Sequence, residues 1–249
     1  MVTSLDQVRK LEEILKAVKG KEIGPLDAFF QVKQLIQPEE TVAHIRKRFQ
    51  FWSFELDSAN LASLSPRERL FFLRKFLFEE KAKFLKRSVA PQILMGLAMQ
   101  NFAHLTGLNL SFVLLGRHLT LKTEIDGEFQ YISLDEGGRF LDTQEVLDLI
   151  FDFGKIRRID FSDLLLAYLE FLQKQLDPRH AANQLLRVYD LILSIKNSDP
   201  STLLRRAYLY KELGQFSEAL ADLKRYIHFQ PSGSVTKSLK KFYSQLSQP

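Results

Sequence analysis

The side chains in this sequence whose chemistry is easiest to name are two adjacent arginines, Arg205 and Arg206. A guanidinium binds a carboxylate through two parallel hydrogen bonds, so the pair suits an acidic segment or the C-terminal carboxylate of another protein. Glu212 beside Lys211 offsets part of this positive charge, and solvated arginines on an exposed helix are at least as good an interpretation. The partner-binding residues predicted on this helix are Arg205, Arg206, Tyr208, Leu209 and Lys211.

These residues lie in a segment, 203–231, that predicts two helices joined by a tight turn. Leu203, Ala207 and Tyr210 share one face of the first helix because they are spaced i, i+4 and i+7. Gly214 supplies the left-handed residue that ends this helix, and Pro231 ends the second. The order of helix, glycine turn, helix and proline resembles a tetratricopeptide repeat (TPR).

A single repeat cannot bury its own apolar face, so neighbouring helices are expected. Residues 183–196, followed by Pro200, predict the end of a preceding unit, and residues 234–246 predict a polar capping helix. The pattern is imperfect, since Arg206 and Tyr226 stand where the repeats favour a large apolar and a small residue. We predict a short, irregular TPR-like array whose surface binds a partner protein.

Several kinds of chemistry are excluded or unsupported by composition. The chain contains no cysteine, which removes disulfides, thiolate nucleophiles and cysteine-ligated metals. Its five histidines lack the spacing of metal ligands, and its glycines form no phosphate-binding loop. The sequence therefore predicts neither a metal nor a cofactor.

The charge is mildly basic, with 35 lysines and arginines against 30 acidic residues and a formal net charge of +5. Basic clusters at 46–48, 81–87 and 155–158 could meet an acidic partner, but such runs are commonly solvated faces, and no nucleic acid is expected. No window of 18 apolar residues and no signal-peptide pattern is present. We expect no transmembrane segment and a cytoplasmic location.

The middle of the chain predicts a mixture of helix and antiparallel sheet. Ser65, Pro66 and Glu68 form the pattern of a capping box that opens a helix over 67–86, and 91–105 predicts a buried helix. Alternating apolar residues then predict three strands, at 110–115, 119–125 and 129–134, with Asp126–Gly127 as a hairpin turn. Gly137–Gly138 is expected to lead out of the sheet, and Thr143 to cap the next helix. The predicted class is α+β, predominantly helical.

Four short segments of this region carry a resemblance to a known family: LRKFLFEE at 73–80, LTGL at 105–108, GRHL at 116–119, where the family tends to have PGHF, and DEGGR at 135–139, where it tends to have DPFxGG. With the repeat that follows, residues 67–147 resemble the transglutaminase-like core that precedes TPRs in a bacterial family of invasion-regulator homologues. The resemblance divides the chain into an N-terminal helical region (1–66), a transglutaminase-like core (67–158) and a TPR-like array with a capping helix (159–249).

The resemblance implies a degenerate catalytic site. Transglutaminase-fold enzymes carry a cysteine at the start of the buried helix, where this chain has residues 89–92, VAPQ, with neither a thiol nor a hydroxyl. His118 occupies the expected strand, Ser133 stands where the orienting aspartate would be, and Asp135 follows two residues later on the same face. No catalytic residue is expected, and His118, Ser133 and Asp135 are interpreted as remnants of a catalytic site. The prediction is a non-catalytic interaction or scaffold module. The sequence does not determine its oligomeric state.

One alternative retains catalysis. A hydrolase or acyl transferase could use His118 to activate the hydroxyl of Ser88 or Ser133, provided that the hydroxyl lies within hydrogen-bond reach of the imidazole.

Overall fold

The structure is a computed structural model that describes residues 4–37, 39–85, 91–154, 156–229, 239 and 242–244. Over these residues the chain is mostly helical and contains one small antiparallel sheet, which confirms the predicted α+β class. Its contacts group into two compact units. The sheet-containing unit is Ile14–Tyr168, and the helical unit combines Met1–Glu13 with Leu169–Pro249. The three-part division at 66/67 and 158/159 stays a prediction.

Six α-helices precede the sheet: α1 Ser4–Lys19, α2 Pro25–Ile36, α3 Glu39–Ser58, α4 Pro66–Arg74, α5 Ala82–Leu85 and α6 Pro91–Leu105. Ser65 caps α4 as predicted, because its Oγ accepts the Glu68 N–H while Glu68 accepts the Ser65 N–H at 2.8 Å. Aromatic rings fill the space between α2, α3 and α6. Phe49 lies 5.5 Å from Phe30 and 6.3 Å from Phe102, centroid to centroid.

The predicted helix over 67–86 contains an irregularity. Between α4 and α5 the chain forms a π-helical segment, Lys75–Lys81, which buries Phe76 and Leu77. A π-helical turn contains more residues than an α-helical turn, so it changes the direction in which the neighbouring side chains point. Lys86, the predicted end of this helix, lies outside the described residues.

The sheet has the strand order β4-β3-β2-β1-β5, and all neighbouring strands are antiparallel. The three predicted strands are confirmed as β1 Ser111–Leu115, β2 His118–Ile125 and β3 Glu128–Ser133; β4 Arg139–Leu141 and β5 Arg157–Arg158 complete the sheet. Asp126 and Gly127, at φ 54° and 81°, form the predicted hairpin. Gly137–Gly138 leads into β4, so the prediction that the chain leaves the sheet there was wrong.

Two helices pack on opposite faces of the sheet. Gly96 lets α6 approach so closely that an added Cβ would lie 2.6 Å from Phe112 and 2.7 Å from Leu134. On the other face, Val113, Leu115 and Tyr131 pack against Val146 of the next helix, α7 Thr143–Phe153. Its N-cap is Asp142, whose carboxylate accepts the Glu145 N–H at 2.8 Å. The cap is thus one residue before the predicted Thr143.

Four further helices complete the chain: α8 Phe161–Gln175, α9 Pro178–Ile195, α10 Pro200–Glu212 and α11 Phe216–His228. In the helical unit α10 packs against α9 and α11, and Gly214 at φ 73° makes the turn between α10 and α11. Ala207, Ala219 and Leu223 form its core together with Leu239 and Phe242. The rest of the predicted capping helix, and Pro231, lie outside the described residues.

No helix in the described ranges combines the length and the apolar character needed to cross a membrane.

The close approach at Gly96 generates a stability prediction. Gly96→Ala should lower the free energy of unfolding by about 1–3 kcal/mol, because the new methyl group overlaps Phe112 and Leu134. Chemical denaturation monitored by circular dichroism measures the change. Gly24→Ala is the matched control, since its Cβ meets only Asn101 at 3.9 Å, and we expect a change within about 0.5 kcal/mol. Equal effects of the two substitutions would contradict the packing argument.

Candidate functional site

His118 and Asp135 come together at one end of the sheet. His118 begins β2 after the Gly116–Arg117 turn, and Asp135 lies in the turn between β3 and β4. The His118 Nδ1 and Asp135 Oδ2 atoms are 3.6 Å apart, and each side chain is more than a third exposed. This distance fits an ion pair but exceeds that of a hydrogen bond, so in this geometry the aspartate does not fix the imidazole tautomer.

The turn that carries Asp135 is held by α4 and by the π segment that follows it. Arg74 Nε donates to the Gly138 carbonyl at 2.9 Å, and the Phe78 ring lies where a Gly138 Cβ would be. Phe78 belongs to the π segment, which therefore supports the turn directly. Gly138 also has φ 77°, so glycine is required here both by the backbone and by the space.

Ser133 is poorly placed to be a nucleophile. It is 2% exposed, and its Oγ accepts the backbone N–H of Glu136 at 3.2 Å. Its cross-strand neighbour, Thr120, is completely buried. A substrate therefore has no direct access to the Ser133 hydroxyl. Ser88, the other hydroxyl considered, lies outside the described residues, as do residues 89 and 90.

The strand register separates His118 from helix α6. Directly opposed residues of antiparallel strands point to the same face, and successive residues alternate. His118 is opposite Leu115, which packs on the α7 side, whereas Phe112 and Leu134 contact Gly96 of α6 on the other side. The imidazole therefore faces away from α6.

The second candidate site is on α10, where Arg206 is enclosed by two aspartates. Its Nε and Nη2 donate to the two carboxylate oxygens of Asp222 at 2.6 and 2.7 Å, and Nη1 donates to Asp190. The Arg206 side chain is 13% exposed and both aspartates are 5% exposed. Burial alone would lower the pKa of Arg206, but the hydrogen bonds and charge of Asp222 and the charge of Asp190 raise it above its usual value.

This cluster changes the set of residues predicted to bind a partner. Arg206 is occupied by its own aspartates, and Leu209 is 4% exposed in a core with Leu185 and Tyr189, so neither lies on an accessible surface. Only about a third of the residues of a helix lie on one exposed stripe. The predicted set included consecutive positions, such as Arg205 and Arg206, which cannot all lie on that stripe.

The other three predicted residues lie nearer the surface. Arg205 is exposed, and Tyr208 is 43% exposed although its ring stacks on Phe242 with centroids 4.4 Å apart. Lys211 is half-buried and places its ammonium 5.2 Å from the same ring. The exposed stripe of α10 is formed by Ser201, Arg205, Tyr208 and Glu212, spaced as one helix face.

Sequence reasoning missed Asp190 and Asp222. A signal was present, because each is 16 residues from Arg206 and each interrupts an otherwise apolar helix face. An arginine at an apolar position of one helix, with an aspartate in each neighbouring helix, is the pattern of a buried ionic cluster.

No group of three potential metal-ligating side chains occurs within the part of the chain that the structure describes. No protein-family model, no curated protein and no solved structure matches this chain. The resemblance to transglutaminase-like proteins with TPRs therefore stays a prediction.

The Arg206 cluster predicts a large difference between two adjacent arginines. Arg206→Met should lower the free energy of unfolding by about 3–5 kcal/mol, because it removes the cation that two buried carboxylates share. Arg205→Met is the control and should cost less than about 0.5 kcal/mol, since that side chain is exposed. Urea unfolding measures both.

A triple variant separates lost charge pairing from lost packing. Adding Asp190→Leu and Asp222→Leu to Arg206→Met should recover most of the stability, because no unpaired buried charge remains. If the triple variant is no more stable than Arg206→Met alone, the stabilisation does not come from the ionic cluster.

Proposed function

We propose that this protein is a non-catalytic interaction module, in which a transglutaminase-like core is joined to a short TPR-like array that binds a partner protein. The observation that carries the proposal is the exposed stripe on α10, where Arg205 and Tyr208 lie together on a helix fixed by the Arg206 cluster. Arginine and tyrosine are enriched among the residues that contribute most to protein–protein binding. A rigid helix keeps the ordering cost of binding low.

The chemistry of the stripe favours an acidic partner. Among the described residues no carboxylate lies at salt-bridge distance from Arg205, so its guanidinium can accept a bidentate carboxylate from another chain. Burial raises the pKa of the Tyr189 phenol, and the nearby positive charge of Arg205 opposes this rise. Glu212 lies at one end of the stripe and repels an acidic group there. We therefore expect the acidic part of the bound segment to lie near Arg205.

Two of the basic clusters in the sequence are partly neutralised within the chain. Arg46 pairs with Asp27 at 3.1 Å, and Lys81 pairs with Glu55 at 2.7 Å. Such internal pairs reduce the charge available to a polyanion, and they support a protein partner over a nucleic acid.

The hydrolase or acyl transferase alternative has one observation in its favour, the proximity of His118 to Asp135. The burial of Ser133 counts against it, and the orientation of His118 away from α6 counts against a nucleophile near the start of that helix. We therefore favour the interaction module.

A capture experiment tests the proposal. Immobilised wild-type protein is compared with the double variant Arg205→Glu plus Tyr208→Ser, and captured proteins are quantified by mass spectrometry. We expect the partner retained by the wild type to fall at least about tenfold, because the variant reverses the charge and removes the aromatic contact. The partner's binding segment should be acidic.

The matched control is Arg225→Glu plus Phe229→Ser, which changes an exposed arginine and a partly exposed aromatic residue of the same hairpin. It should retain the partner. An identical set of captured proteins for the wild type and for the Arg205/Tyr208 variant would refute the proposed surface.

The enzyme alternative has its own test. A fluorophosphonate probe, which reacts with activated serine hydroxyls, should not label Ser133, because that hydroxyl is buried and hydrogen-bonded. Peptide mapping of the labelled protein gives the result. Labelling of any serine that disappears in His118→Ala would establish a catalytic dyad and overturn the interaction proposal.

A further inference from the structure

The sheet face that carries α7 is only half covered. Val113, Leu115 and Tyr131 pack against α7, whereas the other half of this face opens into a cavity of about 530 Å³. Polar and charged side chains line it, including Asn109, Ser111, Lys122, Glu124 and Arg158, together with Phe129. This volume lies within the range of small-molecule sites, and it greatly exceeds the space that a single inorganic ion needs.

Two cations, Lys122 and Arg158, line this cavity. The Lys122 ammonium lies 3.5 Å from the centroid of the Phe129 ring and 5.7 Å from that of Tyr131. Within the described part of the chain, neither Lys122 nor Arg158 has a carboxylate at salt-bridge distance. The adjacent Arg157, by contrast, pairs with Asp163 at 3.5 Å. Aromatic rings hold the Lys122 ammonium without neutralising it, so both positive charges remain available to a ligand.

The strand register allows both cations to reach one anion. Lys122 is opposite Ser111, and Arg158 is opposite Val113, so the three strands β2, β1 and β5 present both side chains on the same face. Two strand spacings across the sheet and two residues along it place their Cα atoms about 12 Å apart. The long side chains of lysine and arginine can converge over β1 across this distance.

We propose that this cavity binds a small, hydroxylated organic oxyanion, either a phosphate or a carboxylate. Lys122 and Arg158 bind the anionic group, and Arg158 does so with two parallel hydrogen bonds. The Ser111 hydroxyl, which makes only a long 3.4 Å bond to the Lys122 carbonyl, and the Asn109 amide supply neutral donors. Glu124, two residues along β2 from Lys122, accepts a hydrogen bond from a ligand hydroxyl and repels a second anionic group.

The test is isothermal titration calorimetry of the full chain with four probes: glucose 6-phosphate, gluconate, glucose and inorganic phosphate. We expect saturable binding of glucose 6-phosphate or of gluconate, and weaker binding of glucose and of inorganic phosphate. Binding only of glucose 6-phosphate assigns the site to phosphates, and binding only of gluconate assigns it to carboxylates. The affinity should fall as salt is added, because the cations lie near the surface.

Lys122→Ala and Arg158→Ala should each weaken binding at least about tenfold, since each removes a charge-assisted interaction. Lys122→Arg and Arg158→Lys, which retain the charge, should bind more tightly than the alanine variants. Lys47→Ala, an exposed cation on α3 outside the cavity, is the control and should bind as the wild type does. Circular dichroism confirms that each variant is folded.

The proposal is overturned if neither organic anion binds saturably or if glucose or inorganic phosphate binds as tightly as the organic anions do. It is also overturned if folded alanine variants retain wild-type affinity.

Discussion

One buried arginine shared by two aspartates constrains how the helices of the helical unit pack together. Arg206 of α10 joins Asp190 of α9 and Asp222 of α11, so a single guanidinium fixes the relative rotation of three helices. An apolar core tolerates small rotations of a helix, but a buried ion pair with defined hydrogen-bond geometry does not, because any rotation exposes an unpaired charge to a medium of low dielectric. The direction in which Arg205 and Tyr208 face is therefore set by Arg206, whose guanidinium is bonded to the two buried aspartates.

The two faces of the sheet differ in how they are packed. The α6 face is closely packed, and Gly96 brings the helix against Phe112 and Leu134. Polar and charged side chains lie on the α7 face: His118 and Asp135 are at one end, and the cavity lined by Lys122 and Arg158 is at the other. An enzyme that resembles this region would need its nucleophile and its histidine on the same face. Here the register places the imidazole on the face opposite α6 and on the same face as Ser133, whose hydroxyl is buried.

Local signals predicted most of the elements, and tertiary contacts decided the rest. The Ser65 cap, the Asp126–Gly127 hairpin and the three alternating strands depend on neighbouring residues and could be read directly. Strands β4 and β5 have three and two residues, too few for a period to emerge. Arg206 and Arg205 are the same residue type; Arg206 stands at an apolar position of the repeat pattern, but its two partners, Asp190 and Asp222, become apparent only when α9 and α11 pack against α10. Lys122 and Arg158 are 36 residues apart and meet only through the sheet.

The π segment at Lys75–Lys81 has a consequence for how the length of this chain can vary. A regular α-helix that loses one residue turns everything beyond the deletion by 100°, which moves its apolar stripe off the core. A π segment already holds about one residue more than a regular turn, so a deletion there would let the helix become regular while α5, beyond the segment, keeps the side that it turns toward α6. The contact that would be lost is the support of Gly138 by Phe78. The extra residue thus serves the turn that carries Asp135, and the helix could fold without it.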